Sequence, residues 1–267
     1  MSIVACVKVY DGLVLGAESM TQLFGQVAGT PQPQPQFLKA FSNARKLFQL
    51  RQGPPGVGVL TYGAGNIGTR SIGSFFDEFA EVVEDNVNMS VAEITNGLLE
   101  LVRPAYQVQY NQVPLPQQPA IGFYVAGYSP GEHTGSELEF VLPQGEVVNP
   151  RAAIAPFGAS WRGIGLPFSR LNFGIDPRFW GILAAQGVAP AMIANIQREA
   201  ATKLVSPIVF DGMPVQDAIG FCKFILETTI GVASYELGVP SCGGPLQIAV
   251  ISRRKGFRWV AEPEYRV

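Results

Sequence analysis

The chain opens with two short apolar, β-rich runs, residues 2–9 and 12–18, on either side of Tyr10-Asp11-Gly12. Asp-Gly between such runs signals a hairpin, because both residues tolerate the positive φ that a tight turn demands. A Gln/Pro tract, Thr30 to Gln36, follows as a loop. ARKLFQL and VGVLTY then read as two further strands flanking Gly53-Pro54-Pro55-Gly56, a turn composition. After them the apolar period lengthens from two to 3.6. Ile72, Phe75, Phe76, Phe79 and Val83 share a helical face. Ser90 and Glu93 form a capping box that opens a second helix through Ile94, Leu98 and Leu101, expected to stop before Pro104.

Strands resume beyond the proline-rich QVPLPQQPA with IGFYVAGY and ELEFVLP, joined by a turn around Gly131 and Gly135. An irregular stretch leads to two helical segments, 188–203 and 214–235. In the second of these, Val215, Ala218, Cys222, Ile225 and Leu226 fall on one face. PLQIAVIS and FRWVAE close the chain as a hairpin around Arg253 to Gly256. Strands, helix pair, strands, helix pair, strands is not the single alternation of a doubly wound parallel sheet. The order predicts an α+β fold, a four-layer αββα sandwich formed as one domain over residues 1–267, with a helix pair outside each of two facing sheets.

Composition narrows the function. A formal net charge of -2 with 15% charged residues provides no basic stripe to neutralise a phosphate backbone, so nucleic acid is not an expected partner. The low charge fraction and a mean hydropathy of +0.19 point to apolar surface covered by other subunits. Cys6, Cys222 and Cys242 are an odd set without CxxC spacing, which argues against a disulfide framework and a zinc site and fits a reducing cytoplasm. Lys8 and Asp11 interrupt the apolar N-terminus, unlike a signal peptide, and no stretch approaches the roughly 20 apolar residues of a membrane span. His133 is the only histidine and lies in a polar turn, so histidine-based nucleophilic or metal chemistry is not expected.

Gly63-Ala64-Gly65-Asn66-Ile67-Gly68 matches GxGxxG between a strand and a helix. A dinucleotide site also needs a second parallel strand ending in an acidic residue about 20 positions on. That interval, Phe79 to Asn88, is the end of a helix and a loop. A tight strand-to-helix turn is favoured and no cofactor is expected.

Removal of Met1 would give Ser2 a hydroxyl and a free α-amine on one residue. Such an amine, with a pKa near 7.7–8.0, can serve as general base near neutral pH. It would need a carboxylate to orient it and a cation to favour the alkoxide, for which Glu18 and Lys46 are candidates. The alternatives are a frayed terminus for Ser2, a rim position for Glu18 and a solvated edge charge for Lys46. Cys6, a rival nucleophile, would sit in mid-strand and reads as a small core residue.

The run from Ser2 through Tyr10-Asp11-Gly12 to Gly16-Ala17-Glu18-Ser19 resembles the opening of proteasome β-subunits, the bacterial HslV peptidase and the Anbu proteins, all N-terminal nucleophile hydrolases. Those chains start with a catalytic threonine, pass a glycine turn and reach an Ala-Asp-Ser-Arg-like signature. The resemblance places Ser2 on the nucleophile, Glu18 on the signature aspartate and Arg45-Lys46-Leu47-Phe48 on the strand of the catalytic lysine. Gly63 falls near the glycine whose amide forms the oxyanion hole. Tyr124-Val-Ala-Gly-Tyr128, Gly145, Phe157-Gly158 and Ser241-Cys-Gly-Gly244 recur in family order, so the similarity spans nearly the whole chain.

The chain also departs from the family. Serine replaces threonine, Glu18 is one methylene longer than aspartate, and the Asp-x-x-Ser that supports the N-terminal amine reads here as Val239-Pro240-Ser241-Cys242, without its acid. Residues 161–205 are longer than the family's equivalent and contain GLPFSRLNFGIDPRFWG, which matches no expected element. The resemblance implies a self-assembling peptidase, forming a ring, stacked ring or spiral and acting on peptides or unfolded protein. Its alternative is an inactive shell subunit of the same fold.

Overall fold

A computed structural model describes residues 2–25, 36–151 and 156–263. The opening hairpin is β1 (Ile3–Val9) and β2 (Gly12–Ala17). β3 (Thr21–Gly25) and β4 (Gln36–Phe41) form a two-stranded hairpin of their own, and β5 (Leu47–Arg51) and β6 (Val57–Gly63) follow. The short pair β7 (Asn66–Ile67) and β8 (Arg70–Ser71) leads into α1 (Ile72–Asp85) and α2 (Val91–Tyr110). Next come β9 (Ile121–Gly127), β10 (Ser136–Leu142) and β11 (Gly158–Gly163), then α3 (Leu166–Phe173), α4 (Phe179–Ala185), α5 (Pro190–Lys203) and α6 (Val215–Tyr235). β12 (Gln247–Ser252) and β13 (Gly256–Ala261) close the chain. The result is a mixed α+β fold with antiparallel sheets.

One sheet has the order β11-β1-β2-β12-β13 and the other β10-β9-β6-β5. Alternation along β1 explains why its sequence is apolar from Ile3 to Val7. Ile3, Ala5 and Val7 join an apolar cluster with Ala218, Cys222, Ile225 and Leu226 of α6. Val4 and Cys6, on the opposite face, join Leu60 and Tyr124 of the other sheet. A strand buried on both faces has no polar alternate positions. A third cluster unites Phe75, Phe76 and Phe79 of α1 and Ile94, Leu98 and Val102 of α2 with Phe123 and Phe140 of β9 and β10. Each such side chain contributes about 1.5–3 kcal/mol through burial.

Several expectations need correction. α2 runs past Pro104 to Tyr110, because Val102 and Tyr106 on either side of the proline are buried and the Tyr106 hydroxyl donates to the Pro119 carbonyl (2.8 Å). Pro104 itself is exposed, so the Glu100 carbonyl it leaves unpaired is on the solvent side. The stretch after β10 contains a strand, β11, which pairs with β1, and the GLPFSRLNFGIDPRFWG segment supplies α3 and α4. The helix expected at 188–203 is α5, but it buries no residue and packs on α4. α3 packs beside α6 instead, through Phe168, whose ring meets Phe221 and Phe224 edge-on at 5.9 Å. The Gln/Pro tract lies outside the described residues except for Gln36, where β4 begins. No described helix is long and apolar enough to cross a membrane.

Candidate active site

Glu18 and Lys46 lie where two elements end and begin, Glu18 directly after β2 and Lys46 directly before β5. Both are buried, at 0% and 7% exposure. Far from forming a rim and a solvated edge, they make an ion pair. The Lys46 ammonium bonds Glu18 Oε1 and donates to the Met20 carbonyl (2.5 Å). The second carboxylate oxygen, Oε2, accepts from the Met20 amide (2.7 Å) and the Gly243 amide (3.0 Å). Burial pulls the Lys46 amine below the ordinary lysine value, against the opposing charge and hydrogen bond of Glu18.

The surrounding backbone fixes this pair. Gln247, at the start of β12 and 1% exposed, accepts the Lys46 and Leu47 amides on Oε1 (2.9 and 3.0 Å) and donates through Nε2 to the Ala44 carbonyl (2.8 Å). The Ser19 hydroxyl lies 2.7 Å from the Ser42 carbonyl and 2.8 Å from that of Pro245. Gly244 has φ +77°, and a Cβ there would stand 2.4 Å from the Ser42 carbonyl oxygen and 2.6 Å from Ser19 Oγ. The paired glycines therefore let the loop before β12 close onto Glu18 and Ser19.

Ser2, 3% exposed, stands at the start of β1, where its carbonyl accepts the Ile164 amide (2.7 Å). The Glu18 amide donates to the Ile3 carbonyl (3.2 Å), so Ser2 precedes by one residue the strand partner of Glu18. Gly63 lies two residues beyond Thr61, whose amide bonds the Lys46 carbonyl (2.9 Å). Its φ is +92°, and a Cβ would sit 2.2 Å from the Ala120 carbonyl oxygen. The four candidates thus share one end of the facing sheets. Among the described residues no hydrogen bond links the Ser2 hydroxyl to Lys46, or Gly63 to Ser2.

The GxGxxG segment is a strand-to-helix connection. Gly68, φ +60°, turns β7 into β8, and α1 begins after its Ser71 cap. β5, β6 and β9 run antiparallel, so the parallel unit of a dinucleotide site is not built there.

Sequence reasoning missed Gln247 and a polar group beside Ser2. Arg162 on β11 pairs in register with Val4, placing it diagonal to Ser2 on the same sheet face. It bonds Glu139 through Nε (2.7 Å) and Nη2 (2.8 Å), and the Tyr62 hydroxyl donates to the same carboxylate (2.5 Å). No signal marked Arg162, because its strand was not foreseen. Gln247 left a faint one, as the single polar residue opening the run QIAVI. Cys242 lies beside the ion pair with its thiol pushed up to about 11, first by burial and then by the Glu18 charge. At the position of the missing acid, Val239 is 44% exposed.

Solved structures share this architecture over almost the whole chain. The helical assembly of the Anbu complex from Pseudomonas aeruginosa matches with a TM-score of 0.59 at 19% identity, over 98% of this chain and 87% of that one. Anbu (ancestral beta-subunit) from Yersinia bercovieri gives 0.55 at 16% identity, over 97% and 87%. A Gly-1 mutant of Anbu from Hyphomicrobium sp. strain MC1 gives 0.56 at 13%, over 98% and 86%. The fold is the Anbu fold. The Anbu proteins have a proteasome-like N-terminal nucleophile hydrolase fold. No family model matches the chain, and no curated protein matches it in sequence. In this Anbu fold the recurring sequence motifs have places: Tyr124–Tyr128 ends β9, Gly145 follows β10, Phe157-Gly158 opens β11, and Ser241–Gly244 leads into β12.

Proposed function

We propose that the chain is a proteasome-like amide hydrolase in which Ser2, freed by removal of Met1, is the nucleophile. The α-amine takes the hydroxyl proton as Oγ attacks a peptide carbonyl. The positive charge of Lys46 favours the alkoxide, Glu18 holds Lys46 in place, and the Gly63 amide helps to hold the oxyanion. Collapse of the tetrahedral intermediate passes the proton to the leaving amine and leaves an ester on Ser2, which water then hydrolyses. The observation that carries this reading is the buried Glu18–Lys46 pair near the start of β1, held by Met20, Gly243 and Gln247. A solvated lysine would need no such support.

The same reading takes the chain as one αββα domain, supported by the three apolar clusters, one between the sheets and one under the helices on either side. It works in the cytoplasm, which fits three free cysteines, on peptides or unfolded protein inside an assembly of its own copies. A second reading, an inactive shell subunit of the Anbu fold, is favoured by Val239, an exposed apolar side chain where the family's acid would stand.

Intact-mass spectrometry of the full chain, with and without a peptide β-lactone that esterifies N-terminal nucleophiles, separates the two. Hydrolase chemistry requires loss of Met1 and one adduct that maps to Ser2 and vanishes in Ser2→Ala. Met1 retained throughout, or no adduct on a free Ser2, leaves the shell reading.

A further inference from the structure

The opposite end of the five-stranded sheet carries a cavity of about 340 Å³. Its walls are the β1–β2 turn, the β12–β13 turn and the loop after β9. β1 spans seven residues between Ser2 and this cavity, about 20 Å of extended chain, so the cavity is separate from the candidate active site.

Its charges are one-sided. Arg253, Arg254 and Lys255 are consecutive in the β12–β13 turn, all exposed, and none has an ion-pair partner among the described residues. Asp11 is the one carboxylate in the lining. Three cations against one carboxylate leave a net charge of +2 in a chain whose overall charge is -2. Arg253 is also positioned. Its Nη1 donates to His133 Nδ1 (2.9 Å), which ties the turn to the facing loop and leaves its other donors free.

The floor is Tyr128, 2% exposed, whose hydroxyl bonds to no described residue. Burial pushes its phenol up, Asp11 adds to the effect and Arg253 opposes it, which locates the hydroxyl within the field of both. A hydroxyl without a described protein partner, carried on an otherwise buried ring beside two guanidinium groups that lack ion-pair partners among the described residues, matches an oxyanion that accepts several hydrogen bonds at once. The charge selects among oxyanions. A carboxylate would neutralise half of it, whereas a phosphate monoester carries roughly -1.5 to -2 at neutral pH.

We propose that this cavity binds a phosphate dianion, either free phosphate or the terminal group of a small phosphate monoester. Tyr10, 64% exposed and braced edge-on against Phe157 at 6.0 Å, offers a ring face beside it for a planar monoester.

Calorimetric titration of the full chain with inorganic phosphate and with AMP, each at ionic strength fixed by sodium chloride, tests the site. Saturable binding is expected, weakened at least tenfold by Arg253→Ala and severalfold by Tyr128→Phe. Lys223→Ala, which removes an exposed α6 lysine paired with Glu227, should leave it unchanged. AMP binding tighter than phosphate assigns the site to an aromatic monoester, and equal affinities assign it to free phosphate. Heats no different from chloride alone, or an affinity left unchanged by Arg253→Ala or by Tyr128→Phe, overturn the proposal.

Discussion

Lys46 illustrates how a single residue can be legible in sequence yet misjudged in energy. It stood out, with Glu18, as a charge in a low-charge apolar segment, and that is why both could be found. Burial was not legible, because it depends on Met20, Gly243 and Gln247 arranged around the pair. Gln247 lies 201 residues from Lys46, and no local pattern encodes that contact. The consequence is that Lys46→Ala does more than remove the charge proposed to favour the alkoxide. It strands the Glu18 carboxylate at 0% exposure and should cost about 3–5 kcal/mol of unfolding free energy, read from urea midpoints. The double substitution Glu18→Gln, Lys46→Met should recover most of that loss. The pH dependence has a fixed sign. Because the folded-state value of Lys46 is lowered, the unfolded chain holds more protons between that value and 10.5, and stability from this group rises with pH across the window. The gap between wild type and Lys46→Met should therefore widen on approach to pH 10.5, and a narrowing gap would contradict the burial of the amine.

At the scale of elements, legibility followed local signals. α1 and α2 announced themselves through apolar periodicity, and α2 through the Ser90–Glu93 capping box, which the structure contains. α3 and α4 have eight and seven residues and no side-chain cap, so neither length nor capping marked them. β11 was hidden because four of its six residues are only partly buried, which breaks both the alternating and the continuous apolar pattern. Pro104 shows tertiary packing overriding a local stop signal. With Val102 and Tyr106 docked on the sheet, the helix continues despite a residue that costs about 3 kcal/mol in a helix interior. Pro104→Ala should therefore stabilise the protein by about 1–3 kcal/mol without altering its circular dichroism, the lower bound reflecting the looser unfolded chain. A loss of stability would mean that the proline shapes a bend on which the packing depends.

For the molecule as a whole, the low charge fraction has a structural counterpart. Leu23, Phe24, Phe37, Leu38 and Phe41 of the β3–β4 hairpin are each 39–52% exposed, and Ile182 and Met192 of α4 and α5 are 57% and 59% exposed. Two strands alone are marginal in water, so a hairpin this apolar is favoured by being covered. Multi-angle light scattering should give a mass several times the 28.7 kDa of one chain, and a monomer throughout the micromolar range would contradict assembly. The path of the chain carries a further consequence. The pair formed by residues 18 and 46 is completed by Gly243 and Gln247, and β12 enters the sheet between β2 and β13, next to the hairpin made first. During synthesis more than 200 residues therefore leave the ribosome before the early hairpin finds its neighbour. A nascent chain holds Ser2, Glu18, Lys46 and Gly63 long before it holds a site, so the Glu18–Lys46 pair stays without its full support until residues 243–247 have been made.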